Sequence, residues 1–251
     1  MKRALGAIVG MLGLALVAGC TTTTTGKRDV SLEKAAQANA QLGTAYLRGD
    51  RLNLADQKLR RALEQDSKNV DAHMGYALLN MELEKPELAR EHFQQALELA
   101  PNRPDLRNNY GTFLCNQGER EAGIEQLLSA ANNRLYETPQ FAYANAGRCA
   151  RKAGRHEEAR EYLRQALEEA PRLPSALRHS ALLALDTGRP GEAQEFYQRY
   201  TKVAEQDAET LWLGVRIERA LGNREAAKQY GVKLLRQYRD SPQAQQFLES
   251  R

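Results

Sequence analysis

The sequence contains no His-Glu-x-x-His zinc motif, no Cys-x-x-Cys pair, no glycine-rich phosphate loop and no Gly-x-Ser-x-Gly elbow. Its four histidines, His73, His92, His156 and His179, show no ligand spacing, and its acidic residues are spread as on solvated helix faces. Catalysis requires ionisable groups that converge on a pocket. The expectation is therefore a non-enzymatic protein without cofactor or metal. Surplus charge is also scarce: 36 Lys and Arg stand against 32 Asp and Glu. The formal charge of +4 falls to +2 if Lys2 and Arg3 are removed with the N-terminal segment. Nucleic-acid binding needs a clustered basic stripe, so no nucleic-acid partner is expected. Aromatic residues make up only 6% of the chain. Ala, Leu, Glu, Gln and Arg dominate instead, side chains that lose little freedom in a helix.

The N-terminus carries an address. Lys2 and Arg3 precede an apolar run from Ala4 to Val17, and small residues lead to Cys20. That order is a secretory signal peptide, and the run falls short of the ~20 residues needed to span a bilayer as a helix. Leu16-Val17-Ala18-Gly19-Cys20 resembles the bacterial lipobox, which implies cleavage after residue 19 and acylation of Cys20. Each buried methylene contributes ~0.8 kcal/mol, and more than one acyl chain holds a protein stably on a membrane. Thr21 stands where an aspartate would resemble an inner-membrane retention signal. The implied location is the periplasmic face of the outer membrane, with the membrane contacted through lipid. Residues 20–30, with five threonines and no apolar periodicity, are expected to form a lipidated flexible tether.

A repeat near 34 residues organises residues 31–251. Ala89-x3-Phe93-x2-Ala96-x4-Pro101 aligns with Ala159-x3-Leu163-x2-Ala166-x4-Pro171, and Ala55-x3-Leu59-x2-Ala62 and Gly123-x3-Leu127-x2-Ala130 flank the first at the same period. Small residues mark close helix approaches, large apolar ones fill gaps, and Gly118, Gly154, Gly188 and Gly222 recur at one turn position. This resembles the tetratricopeptide (TPR) pattern. It implies an all-α, right-handed superhelix of about six repeats, near 36–69, 70–103, 104–137, 140–173, 174–207 and 208–241, with a capping helix over 242–251. The sixth repeat has Gly231 where a large residue is expected, and Thr138-Pro139 marks an insertion. Cys115 and Cys149 lie one repeat apart, either as a disulfide stapling repeats three and four or as two small buried thiols.

In such an array the first helix of each pair lines the groove. The groove-facing set in the first half includes Leu47, Met74, Leu78 and Met81, an apolar strip suited to an adaptable contact. Asn108 and Thr112 follow, and the second half offers Arg148, Arg151, Arg178, Arg216 and Arg219. A shifted register would instead put the methionines in the core and the arginines on a solvated face.

Asn108-Asn109-Tyr110-Gly111-Thr112-Phe113-Leu114-Cys115 resembles the signature stretch of the type IV pilus biogenesis and stability lipoproteins called PilF or PilW. The lipobox, tether, six repeats, Tyr136-x2-Thr138-Pro139 insertion and Leu213-Gly214-Val215-Arg216 extend the resemblance over the full length. It implies a pilotin, which binds secretin subunits of the pilus, brings them to the outer membrane and supports their multimerisation. Such a chain is expected to be monomeric apart from its complex. A scaffold for another envelope complex, such as peptidoglycan synthesis or outer-membrane assembly, is the alternative.

Overall fold

A computed structural model describes residues 25–250. The signal peptide and Cys20 lie outside these residues. The described chain forms thirteen α-helices and no strand. Six antiparallel pairs follow one another: α1 Thr25–Arg48 with α2 Leu52–Gln65, α3 Val70–Glu82 with α4 Pro86–Leu99, and α5 Pro104–Asn116 with α6 Arg120–Ala131. The second half pairs α7 Pro139–Lys152 with α8 His156–Glu169, α9 Pro174–Asp186 with α10 Pro190–Thr201, and α11 Ala208–Ala220 with α12 Arg224–Gln237. Helix α13, Pro242–Glu249, closes the stack. The all-α repeat architecture is as expected. Helix α1 begins at Thr25, within the stretch expected to form a tether, and includes the good helix formers Lys27 and Arg28. Among the described residues no helix is long and apolar enough to cross a membrane.

Prolines set six of the thirteen helix starts, opening α4, α5, α7, α9, α10 and α13 at a position where the missing N–H costs nothing. Elsewhere Asn69 caps α3, and Asp207 with Thr210 forms a reciprocal capping box on α11. The core is a chain of small clusters strung between neighbouring pairs. Leu59, Leu127 and Leu163 are fully or nearly fully buried, each against a glycine of the preceding helix, Gly43, Gly111 and Gly147. Phe93 packs on Tyr110 and Phe113 of the next repeat, with ring centroids 5.4 Å from each. Such nearest-neighbour burial is what makes a solenoid of repeats stable.

The hairpin turns contain a departure from the glycine pattern. Gly118, Gly154, Gly188 and Gly222 all have positive φ, and at the same place in the first two repeats Asp50 and Glu84 adopt φ 54°. A side chain in the left-handed region costs ~1–2 kcal/mol, partly offset because glycine loses more chain entropy on folding. Glu84→Gly is therefore expected to stabilise the protein by ~0.5–1 kcal/mol. Thermal melting checks this, and a fall in midpoint would contradict it.

Candidate partner-binding face

The odd-numbered helices supply the side chains expected to face a groove, and the structure divides them into three groups. In the first half, Leu47 leans on Ala55, Leu59 and Leu79, while Met74, Leu78 and Met81 lean on the cluster around Phe93, Leu106 and Phe113. All four are half-buried. They rim the core clusters and keep part of their surface exposed. Nearby polar groups link the repeats: Gln37 donates to Asp71 at 2.5 Å, and Arg103 pairs with Asp71 at 2.5 Å. His73 is buried between the Ser67 carbonyl and His92, each 3.0 Å away.

The middle is an amide-rich seam. Asn145 donates to Asn108 across 3.0 Å, and Asn109 reaches the Met74 sulfur at 3.6 Å. The Thr112 hydroxyl is buried without a hydrogen-bond partner. Just behind this seam the Cys115 and Cys149 sulfurs are bonded, with Cα atoms 5.8 Å apart.

The second half gathers charge. Arg148 donates to Asn116 at 2.9 Å, Arg151 pairs with Asp186 at 2.5 Å, and Arg178 pairs with Glu209 at 2.8 Å. Arg216 approaches the other oxygen of Asp186 at 3.5 Å. Burial, then the charges of Arg178 and Arg151, push Arg148 below the ordinary arginine range. Lys152 is lowered in the same way, by burial and then by Arg148, Arg151 and Arg120. His179 lies among them, 6% exposed, and burial together with Arg178, Arg148, Arg151 and Lys152 holds it well below the usual histidine value. Arg219 does not join this group. It donates to Ser250 and covers the Trp212 and Phe247 rings, so it belongs to the contact with α13.

The groove-facing repeat positions place the arginines but give no sign of Asp186, Lys152 and His179 beside them. Asp186 lies 35 residues after Arg151. That spacing, one repeat plus one residue, is the signal that could have found the pair. Cavities adjoin the helices of this half. One of about 170 Å³ opens beside Arg178, Arg216 and Glu209, walled by Leu182, Trp212 and Leu213. Another of about 420 Å³ lies between α8 and α10, where Arg164 is matched by Glu161 and Glu168 and Arg189 by Glu192. No group of three or more His, Cys, Asp or Glu that could hold a metal occurs among the described residues.

Comparison with known proteins agrees with this architecture. Tetratricopeptide repeat profiles match residues 40–104 and 114–174, and a second profile of that kind matches 150–213. The type IV pilus assembly protein PilF of Pseudomonas aeruginosa is 30% identical over 244 residues, 96% of each chain. A crystal structure of PilW, described as a widely conserved type IV pilus biogenesis factor, matches with a TM-score of 0.78 and 31% identity, over 85% of this chain and 98% of that one. A structure of Pseudomonas aeruginosa PilF matches with a TM-score of 0.75 and 29% identity, over 88% of this chain and 100% of that one. A repeat pattern, a superhelical stack and full-length similarity thus converge, and the chain belongs to the tetratricopeptide-repeat family of type IV pilus biogenesis proteins that includes PilF and PilW.

Proposed function

We propose that this chain is an outer-membrane lipoprotein that binds secretin subunits of a type IV pilus, promotes their outer-membrane localisation and multimerisation, and so supports pilus biogenesis and stability. It acts as a scaffold, holding a partner without chemistry of its own. The observation that carries the reading is the joining of a lipobox-like Leu16–Cys20 to a six-pair helical body of the pilus biogenesis family. Lipid on Cys20 would keep the repeats at the membrane where a secretin pore must insert, and the stacked odd-numbered helices supply a long surface along which a partner segment can lie. A solenoid suits this task because its binding surface grows with every repeat while each repeat needs only its neighbours for stability.

Deleting the gene is expected to abolish secretin multimers in outer-membrane fractions and surface pili. A Cys20→Ala chain should accumulate without membrane attachment and fail to restore either. Unchanged multimers in the deletion strain would refute the proposal. Co-purification with a cell-wall synthase, in place of a secretin, would move the scaffold to another envelope complex.

A further inference from the structure

We propose that the face built by α7, α9 and α11 is a binding site for an acidic segment of a partner protein. Carboxylates of that segment settle among Arg148, Arg151, Arg178 and Arg216, and an adjoining apolar side chain enters the cavity walled by Leu182, Trp212 and Leu213. The site rests on the reading of the chain as a partner-holding scaffold and names the chemistry of what it holds.

Three observations carry it. The first is uncompensated charge. Arg148, Arg151, Lys152, Arg178 and Arg216 are gathered across three successive repeats, and the carboxylates within their group are Asp186 and Glu209. Like charges brought together in a partly desolvated place repel each other, and burial weakens the screening by salt that relieves exposed clusters. Arg148 and Lys152 are lowered first by burial and then by these neighbouring cations. A bound anion removes the repulsion. The second is unused hydrogen-bonding capacity. Arg151 Nε and His179 Nδ1 are buried without partners, and His179 is more than nine-tenths buried. An unpaired buried polar group carries its full desolvation cost, so this face holds polar atoms that the chain itself leaves unsatisfied.

The third is shape. The cavity of about 170 Å³ is of the order of one leucine or phenylalanine side chain, with Arg178 and Arg216 at its edge. A slot for a single side chain, with Leu182, Trp212 and Leu213 among its walls and Arg178, Arg216, Glu209 and Gln243 completing them, fits a peptide in which acidic and apolar residues adjoin. Planar guanidinium groups also match the planar carboxylate in two-point contacts. The cavity between α8 and α10 has a different charge balance, with Glu157, Glu161, Glu168 and Glu192 beside Arg160, Arg164, Arg189 and Arg199.

A random-sequence peptide library displayed on phage, selected against the full chain in detergent, tests the site. Enriched peptides are expected to be rich in Asp or Glu beside Leu or Phe. Fluorescence anisotropy should then show a labelled copy binding at least about tenfold more tightly than its Asn/Gln counterpart, ~1.4 kcal/mol. A similar loss is expected for the Arg148→Gln Arg178→Gln variant. Arg216→Gln, whose side chain is more exposed, provides the same reading if the double variant fails to fold. Asp186→Asn should act in the opposite direction and tighten binding several-fold, since it frees Arg151 and Arg216; a purely structural role for Asp186 predicts no gain. Peptides without acidic bias, or binding unchanged by the arginine substitutions, would overturn the site. So would anionic phosphatidylglycerol vesicles whose binding depends on these arginines while peptide binding does not. If the peptide test fails while deletion still removes secretin multimers, the site falls and the scaffold reading stands.

Discussion

Replacing Cys115 and Cys149 together by alanine is expected to lower the unfolding free energy by about 3–4 kcal/mol, the chain-entropy value for closing a loop of this length. The two residues are separated by 34 positions and lie on α5 and α7. Both are buried, so alanine, unlike serine, leaves no hydroxyl in the core. The bond spans the place where the stack has its longest connection, residues 132–138, between α6 and α7. Neighbouring repeats are coupled only through their shared interface, so a covalent link here should matter for cooperativity as well as for total stability. Thermal and urea unfolding of the oxidised protein should be a single transition. In the double variant, or under reductant, it should broaden or divide as the two halves separate. A midpoint within experimental error of the unchanged protein would show that the α5–α7 packing is sufficient alone.

Phe247→Ala should have the next largest effect, ~3 kcal/mol, at the lower end of the usual range for emptying a buried aromatic site because a terminal helix can relax. Phe247 is 4% exposed, and its ring fills the space above Gly231 so completely that a Cβ added there would lie 2.0 Å from the ring. The equivalent positions of the other repeats hold Leu59, Phe93, Leu127, Leu163 and Tyr197. In the sixth repeat the large group comes from α13 instead of α12. Gly231→Leu alone is therefore expected to destabilise through overpacking. Gly231→Leu combined with Phe247→Ala should recover a good part of either loss, since it restores the arrangement used five times before. Strict additivity of the two effects in urea unfolding would mean that the two residues do not share one site.

How much was legible beforehand differs from feature to feature. The spacing of Ala89, Phe93 and Ala96 and its recurrence at Ala159, Leu163 and Ala166 announce a helical hairpin, because helix packing depends on where small and large residues fall along the helix face. The weak point at Gly231 was visible as an anomaly, yet nothing in local sequence indicated that Phe247 supplies the missing bulk. Asp50 and Glu84 were equally silent: only their place between packed helices forces them into a conformation that glycine takes elsewhere. The Arg148, Arg151 and Arg178 row was found by counting positions. Its counter-charge Asp186, and the burial of His179, depend on the angle at which α7, α9 and α11 stack.

Periodic information thus resides in the chain itself: the number of hairpins, their start and stop residues, the pairing distance between Cys115 and Cys149, and the family to which they point. Each of these follows from interactions within a repeat or between adjacent ones, which a regular spacing encodes directly. Whether Met74 or Leu78 is rim or open surface, which arginines find carboxylates and which remain unbalanced, and how Phe247 completes the last pair were settled only by three-dimensional packing. Those outcomes depend on rotations of whole helices against one another, and a side chain's depth and its neighbours' charge change steeply with such rotations while the sequence pattern stays the same.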